Sequence, residues 1–220
     1  MRVKVEPLLA ETFAGFGSVV AVPSSANSGA TANQATATKY ANVSLLGETY
    51  PRASPASKSA SSDHIHPQMS LFVCNPRQLV SILPANSNSK AFQLHILERH
   101  PYTSQTFLPL GLSPNDQEAA YVVIVAPALK TNPDIPDVQR VRAFLARGNQ
   151  GVTYGVGVWH SPMVVIGSKP ITFAVLQWVN GVAKDECTEC EMIDGEMHGP
   201  LDKEGVLIEF DVRDRVFAKL

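Results

Sequence analysis

Glu98, His100 and Gln105 put a carboxylate, an imidazole and an amide at fixed spacing between two runs that alternate like strands, Phe92–His100 and Gln105–Leu110. Residues two apart on a strand share a face. Glu98 and His100 are therefore predicted to point the same way as Phe92, Leu94 and Ile96, with Arg99 opposite. After a turn at Pro101–Ser104, Gln105, Phe107 and Pro109 line one face of the next strand. A Glu and a His beneath apolar residues are costly to bury unless paired, hydrated or bound to something. The competing reading is a strand-end histidine before Pro101, satisfied by water. A second stretch, Gly148–Pro162, favours a site: Tyr154, Val156, Val158 and His160 share a parity, so a second imidazole projects where Tyr154 does. Trp159 faces away and reads as core, and the glycines permit tight turns or close backbone approach.

The elements that must carry these residues read as strands. Ser18–Val22, Tyr40–Leu46, Met69–Cys74, Leu79–Leu83, Met163–Ile166, Ile171–Val179 and Val206–Val212 are β-rich, and Ala119–Ala126 is apolar throughout, as a strand buried on both faces would be. Pro7–Phe16 reads as a short helix. Asp137–Arg147 is the strongest helix prediction, because Val138, Val141, Phe144 and Leu145 share a helical face and Gly148 can stop it. Many short strands with Pro and Gly between them predict a mainly β fold, an antiparallel barrel or sandwich with a few short helices. With 220 residues, 45% of them apolar, one domain over 1–220 is expected, interrupted by a Ser/Ala/Pro-rich insertion at about 51–68. Pro23–Ala37 reads as loop. His64-Ile65-His66 has a metal-like spacing but lies in the insertion.

A net charge of −2 and the absence of a basic stripe argue against nucleic acid. No apolar run approaches the ~20 residues of a membrane span, and no signal-peptide core precedes the chain's first strand. A small molecule is the expected partner. Three cysteines make no disulfide framework. Cys187 and Cys190 form a lone CxxC among carboxylates, which lacks the second pair of a zinc site and would raise its thiol pKa values.

Taken together, the two stretches resemble the motifs of the cupin barrel. The first cupin motif runs His-x-His-(x4)-Glu; here Glu98 stands for the first His and Gln105 for the Glu, while His160 closes the second motif. The wording narrows the resemblance. Glu98-Arg99-His100-Pro101 with Gln105-x-Phe107-x-Pro109, and Gly151-Val152-x-Tyr154 with Val158-Trp159-His160-x-Pro162, resemble the signature of the ureidoglycolate lyases of allantoin breakdown. Arg142-Ala143-Phe144 fits as well. Asn33-Gln34 with Lys39-Tyr40 is similar to that family's upstream loop, with Ala35 in place of its glycine. Gly155 and Ser161 stand where family members often carry histidines. The resemblance extends from about residue 3 to about 195.

That resemblance implies a cupin-type homodimer cleaving ureidoglycolate to glyoxylate and urea. It implies Glu98, His100, Gln105 and His160 as catalytic residues, and Asn33, Gln34, Lys39 and Tyr154 as substrate contacts, with Lys39 anchoring the substrate carboxylate. Arg142 reads as a salt-bridge partner on a helix surface. Two His, one Glu and one Gln can also bind a divalent transition metal, although the amide is a weak ligand. Two alternatives stay open: a non-catalytic cupin that binds a small carboxylic acid, and a metal-dependent oxygenase or isomerase. Ala218-Lys219-Leu220 is a variant of the Ser-Lys-Leu peroxisomal address, so a peroxisomal location through the import receptor is expected, with cytoplasm as the other option.

Overall fold

Ala119–Ala126 is apolar at every position because the protein packs a core against each of its faces. In the computed structural model, which describes residues 1–23, 29–51, 64–81, 89–113, 119–192 and 205–211, Tyr121, Val123 and Val125 enter one buried cluster. Val122, Ile124 and Ala126 enter a second. Alternation along a strand thus feeds two cores. The first cluster adds Phe13, Phe107, Phe144, Val152, Tyr154, Phe173 and Val175; the second adds Phe92, Leu94, Leu97, Trp159, Val206, Ile208 and Phe210.

Two sheets supply these faces. The larger has ten strands and runs Thr188–Glu191, Ile96–Arg99, Trp159–His160, Ala119–Ala126, Arg142–Arg147, Arg2–Pro7, Val206–Asp211, Ser89–Leu94 and Val80–Ser81, with Val164–Val165 also on Ala119–Ala126. The smaller runs Gly17–Val20, Gly151–Tyr154, Gln105–Leu110, Ile171–Val179 and His66–Cys74. A ribbon of Ala30–Ala32 and Ala37–Lys39 stands apart from both. The architecture is mainly β, with a curled sheet forming a half-barrel of the cupin type. The pairing is antiparallel except where Arg2–Pro7 lies parallel to both Arg142–Arg147 and Val206–Asp211.

Several sequence expectations change. The helix predicted over Asp137–Arg147 is a single 3-10 turn, Val138–Arg140, followed by the strand Arg142–Arg147. Phe144 and Ala146 face the first cluster while Ala143 faces the second, so the apolar residues are shared between two cores rather than gathered on one helical face. Arg142 keeps its ion pair from this strand: Nε and Nη2 donate to Glu6 Oε1 and Oε2 at 3.0 and 2.7 Å. Both side chains are over a third exposed, so the pair contributes at most about 1 kcal/mol. The helix expected over Pro7–Phe16 shortens to Ala10–Phe13. The strand expected over Tyr40–Leu46 is instead Ala37–Lys39, with 41–46 irregular, and the Pro23–Ala37 loop contains the ribbon. The insertion ends earlier than expected, since His66–Gln68 belong to a strand paired along its whole length with Ile171–Val179. Residues 52–63 of the insertion and the 212–220 tail lie outside the described residues.

Phe92–His100 is two strands, Ser89–Leu94 and Ile96–Arg99, broken at the exposed His95. The break resets the parity. Phe92, Leu94 and Leu97 all enter the second cluster, whereas Glu98 turns to the other side of the sheet.

Candidate active site

Register brings the chemistry together. Glu98 pairs directly with His160, and His160 with Val125, so these three side chains share the face that looks toward the smaller sheet. On that sheet Tyr154, Gln105 and Gln177 form a continuous cross-strand row. His100 follows two residues after Glu98 and is buried with His160, Gln105 and Tyr154. The imidazoles of His100 and His160 lie 5.3 Å apart between centroids, and the Tyr154 ring stacks on His160 at 3.9 Å. Tyr154 and His160 do not lie on one continuous strand as their parity implied. The chain turns between them at Gly157, whose φ of +72° favours glycine and whose N–H donates to the His100 carbonyl at 2.9 Å.

Main-chain carbonyls orient both imidazoles. His160 Nδ1–H donates to the Val158 carbonyl at 2.9 Å, and His100 Nδ1–H donates to the Glu186 carbonyl at the end of the short helix Ala183–Glu186. Each neutral ring then presents its Nε2 lone pair to the site. His160 Nε2 is 3.5 Å from Glu98 Oε1 and 3.3 Å from Gln105 Oε1, while His100 Nε2 is buried without a partner. Four acceptors therefore converge, and such a set needs a proton or a cation among them. A proton on His160 Nε2 satisfies Glu98 and Gln105 together.

Burial lowers the His100 pKa from its ordinary value to about 4, helped by His160 and opposed by the Glu186 carbonyl and Glu98. Burial alone would raise Glu98, but the hydrogen bond and charge of His160 outweigh it and hold the carboxyl below its ordinary value. At neutral pH Glu98 is thus a carboxylate and His100 a neutral base. Both shifts are depressions, so the neutral His100 base persists down to about pH 4 and the Glu98 carboxylate persists to lower pH than an ordinary one. Stability follows the same sign. Between pH 6.5 and 4 the unfolded chain binds the His100 proton and the folded one does not, so the folded state weakens as pH falls through that window. A thermal melting midpoint that falls from pH 7 to pH 4.5, less steeply in His100→Gln, is the expected measurement.

The donor atoms of Glu98, His100 and His160 lie within 4.8 Å of one another. With the orphaned Nε2 of His100 and both Nδ1 atoms tied to carbonyls, this set fits a divalent transition metal, with Gln105 as a weaker fourth donor. Glu98 also groups with Cys187 and with Glu189, which the Thr188–Glu191 strand sets directly opposite it. Cys187 and Cys190 are free thiols. Burial first, then Glu98 and Glu189, pushes Cys187 up to about 11, so it is a protonated thiol.

The remaining predicted contacts are placed differently. Asn33, Gln34 and Lys39 are exposed on the separate ribbon. Its turn holds Asn33, Gln34 and Ala35 at φ of 49°, 55° and 67°, the left-handed region that glycine enters without strain, which accounts for the glycine in the resembling pattern. Tyr154 Oη is buried without a hydrogen-bond partner, and burial, more than Tyr121 or Glu98, raises its pKa. A groove of about 490 Å³ lined by Val22, Tyr40, Val43, Leu108 and Pro109 is apart from the acid–base cluster. His64 and His66 are exposed, and His66 Nδ1 bonds the His64 carbonyl. Sequence reasoning missed Gln177. Its signal was available: a polar residue at the inward parity of Phe173 and Val175 in an otherwise apolar strand.

Comparison with known proteins decides the family. A family model described as ureidoglycolate lyase matches residues 1–197. The chain belongs to the ureidoglycolate lyase family. The ureidoglycolate lyase of Schizosaccharomyces pombe is 41% identical over 187 residues, covering 84% of this chain and 89% of that protein. That of Saccharomyces cerevisiae is 32% identical over 207 residues, covering 90% and 97%. A bacterial ureidoglycolate lyase, from Pseudomonas paraeruginosa, is 32% identical over 167 residues, covering 74% and 76%. The residues matched by the family model include the whole site and the smaller sheet, and all of the larger sheet except the strand Val206–Asp211.

Proposed function

We propose that this chain is a carbon–nitrogen lyase that cleaves ureidoglycolate to glyoxylate and urea in allantoin and purine breakdown. The observation that supports it is the convergence of Glu98, His100, Gln105 and His160 in a family of ureidoglycolate lyases. The substrate carries a carboxylate, a hydroxyl and a ureido nitrogen on one carbon. Cleavage removes the hydroxyl proton, forms the aldehyde carbonyl, breaks the C–N bond and protonates the departing nitrogen. His100 Nε2, with its lone pair unengaged, takes the hydroxyl proton. The substrate's own negative charge raises the basicity of this imidazole as it binds. His160, protonated between Glu98 and Gln105, gives its proton to the departing nitrogen. A divalent metal held by Glu98, His100 and His160 would occupy those same Nε2 lone pairs, so it would replace these proton transfers and supply Lewis-acid polarisation of the hydroxyl in their stead.

Glu98→Gln separates a catalyst from a binding protein. The amide removes the carboxylate that faces His160 Nε2, so turnover is expected to fall about 10²–10³-fold while glyoxylate affinity, read by calorimetry, stays within tenfold. Unchanged turnover would remove Glu98 from the mechanism. Lys39 serves in this reading as the carboxylate anchor that the family resemblance implies. Lys39→Ala should then raise KM about tenfold, from the loss of one charge-assisted contact, and an unchanged KM would reject that role.

The same proposal includes a homodimer. Met69, Leu71 and Val73 are each over 60% exposed on the edge strand His66–Cys74, and an apolar edge of that length invites a second copy. Light scattering should give about twice the chain mass, and a monomer at micromolar concentration would contradict it. Peroxisomal import through Ala218-Lys219-Leu220 completes the proposal. The last ten residues fused to a fluorescent protein should mark peroxisomes and lose that pattern on Leu220→Ala; diffuse fluorescence from both would place the chain in the cytoplasm.

A further inference from the structure

Gln105 can present either its carbonyl or its amine to the site, and the two choices have opposite consequences. A carbonyl accepts the His160 proton or holds a cation; an amine repels both. The choice is made one strand away. Gln177 lies directly opposite Gln105 in register, on the same face, and is half-buried. Its Nε2 is 3.4 Å from the Glu186 carbonyl oxygen and 3.0 Å from His100 Nδ1, whose proton already goes to that same carbonyl. The Gln177 amine faces this carbonyl, which can only accept and which already takes the His100 proton, and the Gln177 carbonyl faces Gln105. Gln105 Nε2 donates to Gln177 Oε1 at 2.9 Å, which leaves Gln105 Oε1 toward His160 Nε2 at 3.3 Å.

We infer that Gln177 is a positioning residue: it transmits the fixed polarity of the Glu186 carbonyl to Gln105 and so holds an oxygen, not an amine, against His160. This rests on the reading of Gln105 as part of the lyase site. It goes beyond that reading by assigning a residue outside both sequence motifs. The chain of amides also joins the Ala183–Glu186 turn to the site, because one carbonyl orients both His100 and Gln177.

The direct test is the orientation of the Gln105 amide. In wild-type protein with labelled Gln and His, nuclear Overhauser contacts from the Gln105 side-chain amide protons should reach Gln177 and not the His160 ring. Contacts to the His160 ring instead would overturn the inference, whatever the protein does to ureidoglycolate. Turnover gives the second readout. Gln177→Met removes the acceptor and should lower kcat at least tenfold with KM within threefold. Wild-type kcat in Gln177→Met would show that polarity is not what Gln177 supplies. If Gln177→Met fails to fold, the wild-type contacts still decide.

Discussion

His160→Ala is expected to lower kcat by about 10²–10⁴-fold while leaving the fold cooperative. His160 Nε2 approaches both Glu98 Oε1, at 3.5 Å, and Gln105 Oε1, at 3.3 Å. Removing it takes away the proton donor and leaves a carboxylate facing an amide oxygen. The loss should appear in kcat more than in KM, since the proton is transferred in the transition state rather than used to bind. The ring is also stacked between Tyr154 and the site, so some stability is lost with it. His160→Gln, which restores bulk without the titrating ring, should recover the melting midpoint but not the rate. Steady-state kinetics of both variants beside thermal unfolding separate the two effects. Wild-type kcat in either variant would remove His160 from the chemistry.

Phe144→Ala is expected to cost about 3–5 kcal/mol, a large part of the 5–15 kcal/mol typical of a folded domain. Phe144 is fully buried, meets Phe13 edge-to-face at 5.3 Å and lies under the Arg142 guanidinium at 4.8 Å. The midpoint should drop on the order of 10 °C in a chain of this size. Leu145→Ala should cost less, because Leu145 faces the other cluster and is only partly buried. A helix over Asp137–Arg147 would put Phe144 and Leu145 on one face and make the two costs similar. Thermal or denaturant unfolding of the pair therefore checks the strand as well as the core.

That same segment shows why part of the fold was hidden in the sequence. Four apolar residues at helical spacing are ambiguous when a strand has a core on each side, because both parities are then apolar. Ala119–Ala126 has the same two-sided burial but lacks interrupting polar residues, so it was legible. That Glu98, His100, Gln105 and His160 belong to one site was legible from motif wording, whereas the register that sets Glu98 opposite His160 comes from the structure. The parity argument beneath it was partly wrong: the break at His95 detaches Phe92 and Leu94 from the face of Glu98. Gln177 shows in the sequence only as a polar residue at an inward parity; its contact with Gln105 joins distant strands and leaves no local pattern, and the Glu186 carbonyl leaves none at all. Asn33, Gln34 and Lys39 matched the family pattern, yet their ribbon is exposed; sequence similarity carries residue identity but not the position of an element relative to the site.

The central claim is that these acid and base groups break the C–N bond and release urea intact. Incubation of purified protein with ureidoglycolate, corrected for spontaneous decay, should yield glyoxylate and urea in equal amounts with no ammonia. Ammonia in place of urea would make the reaction a hydrolysis of the ureido group and contradict the account.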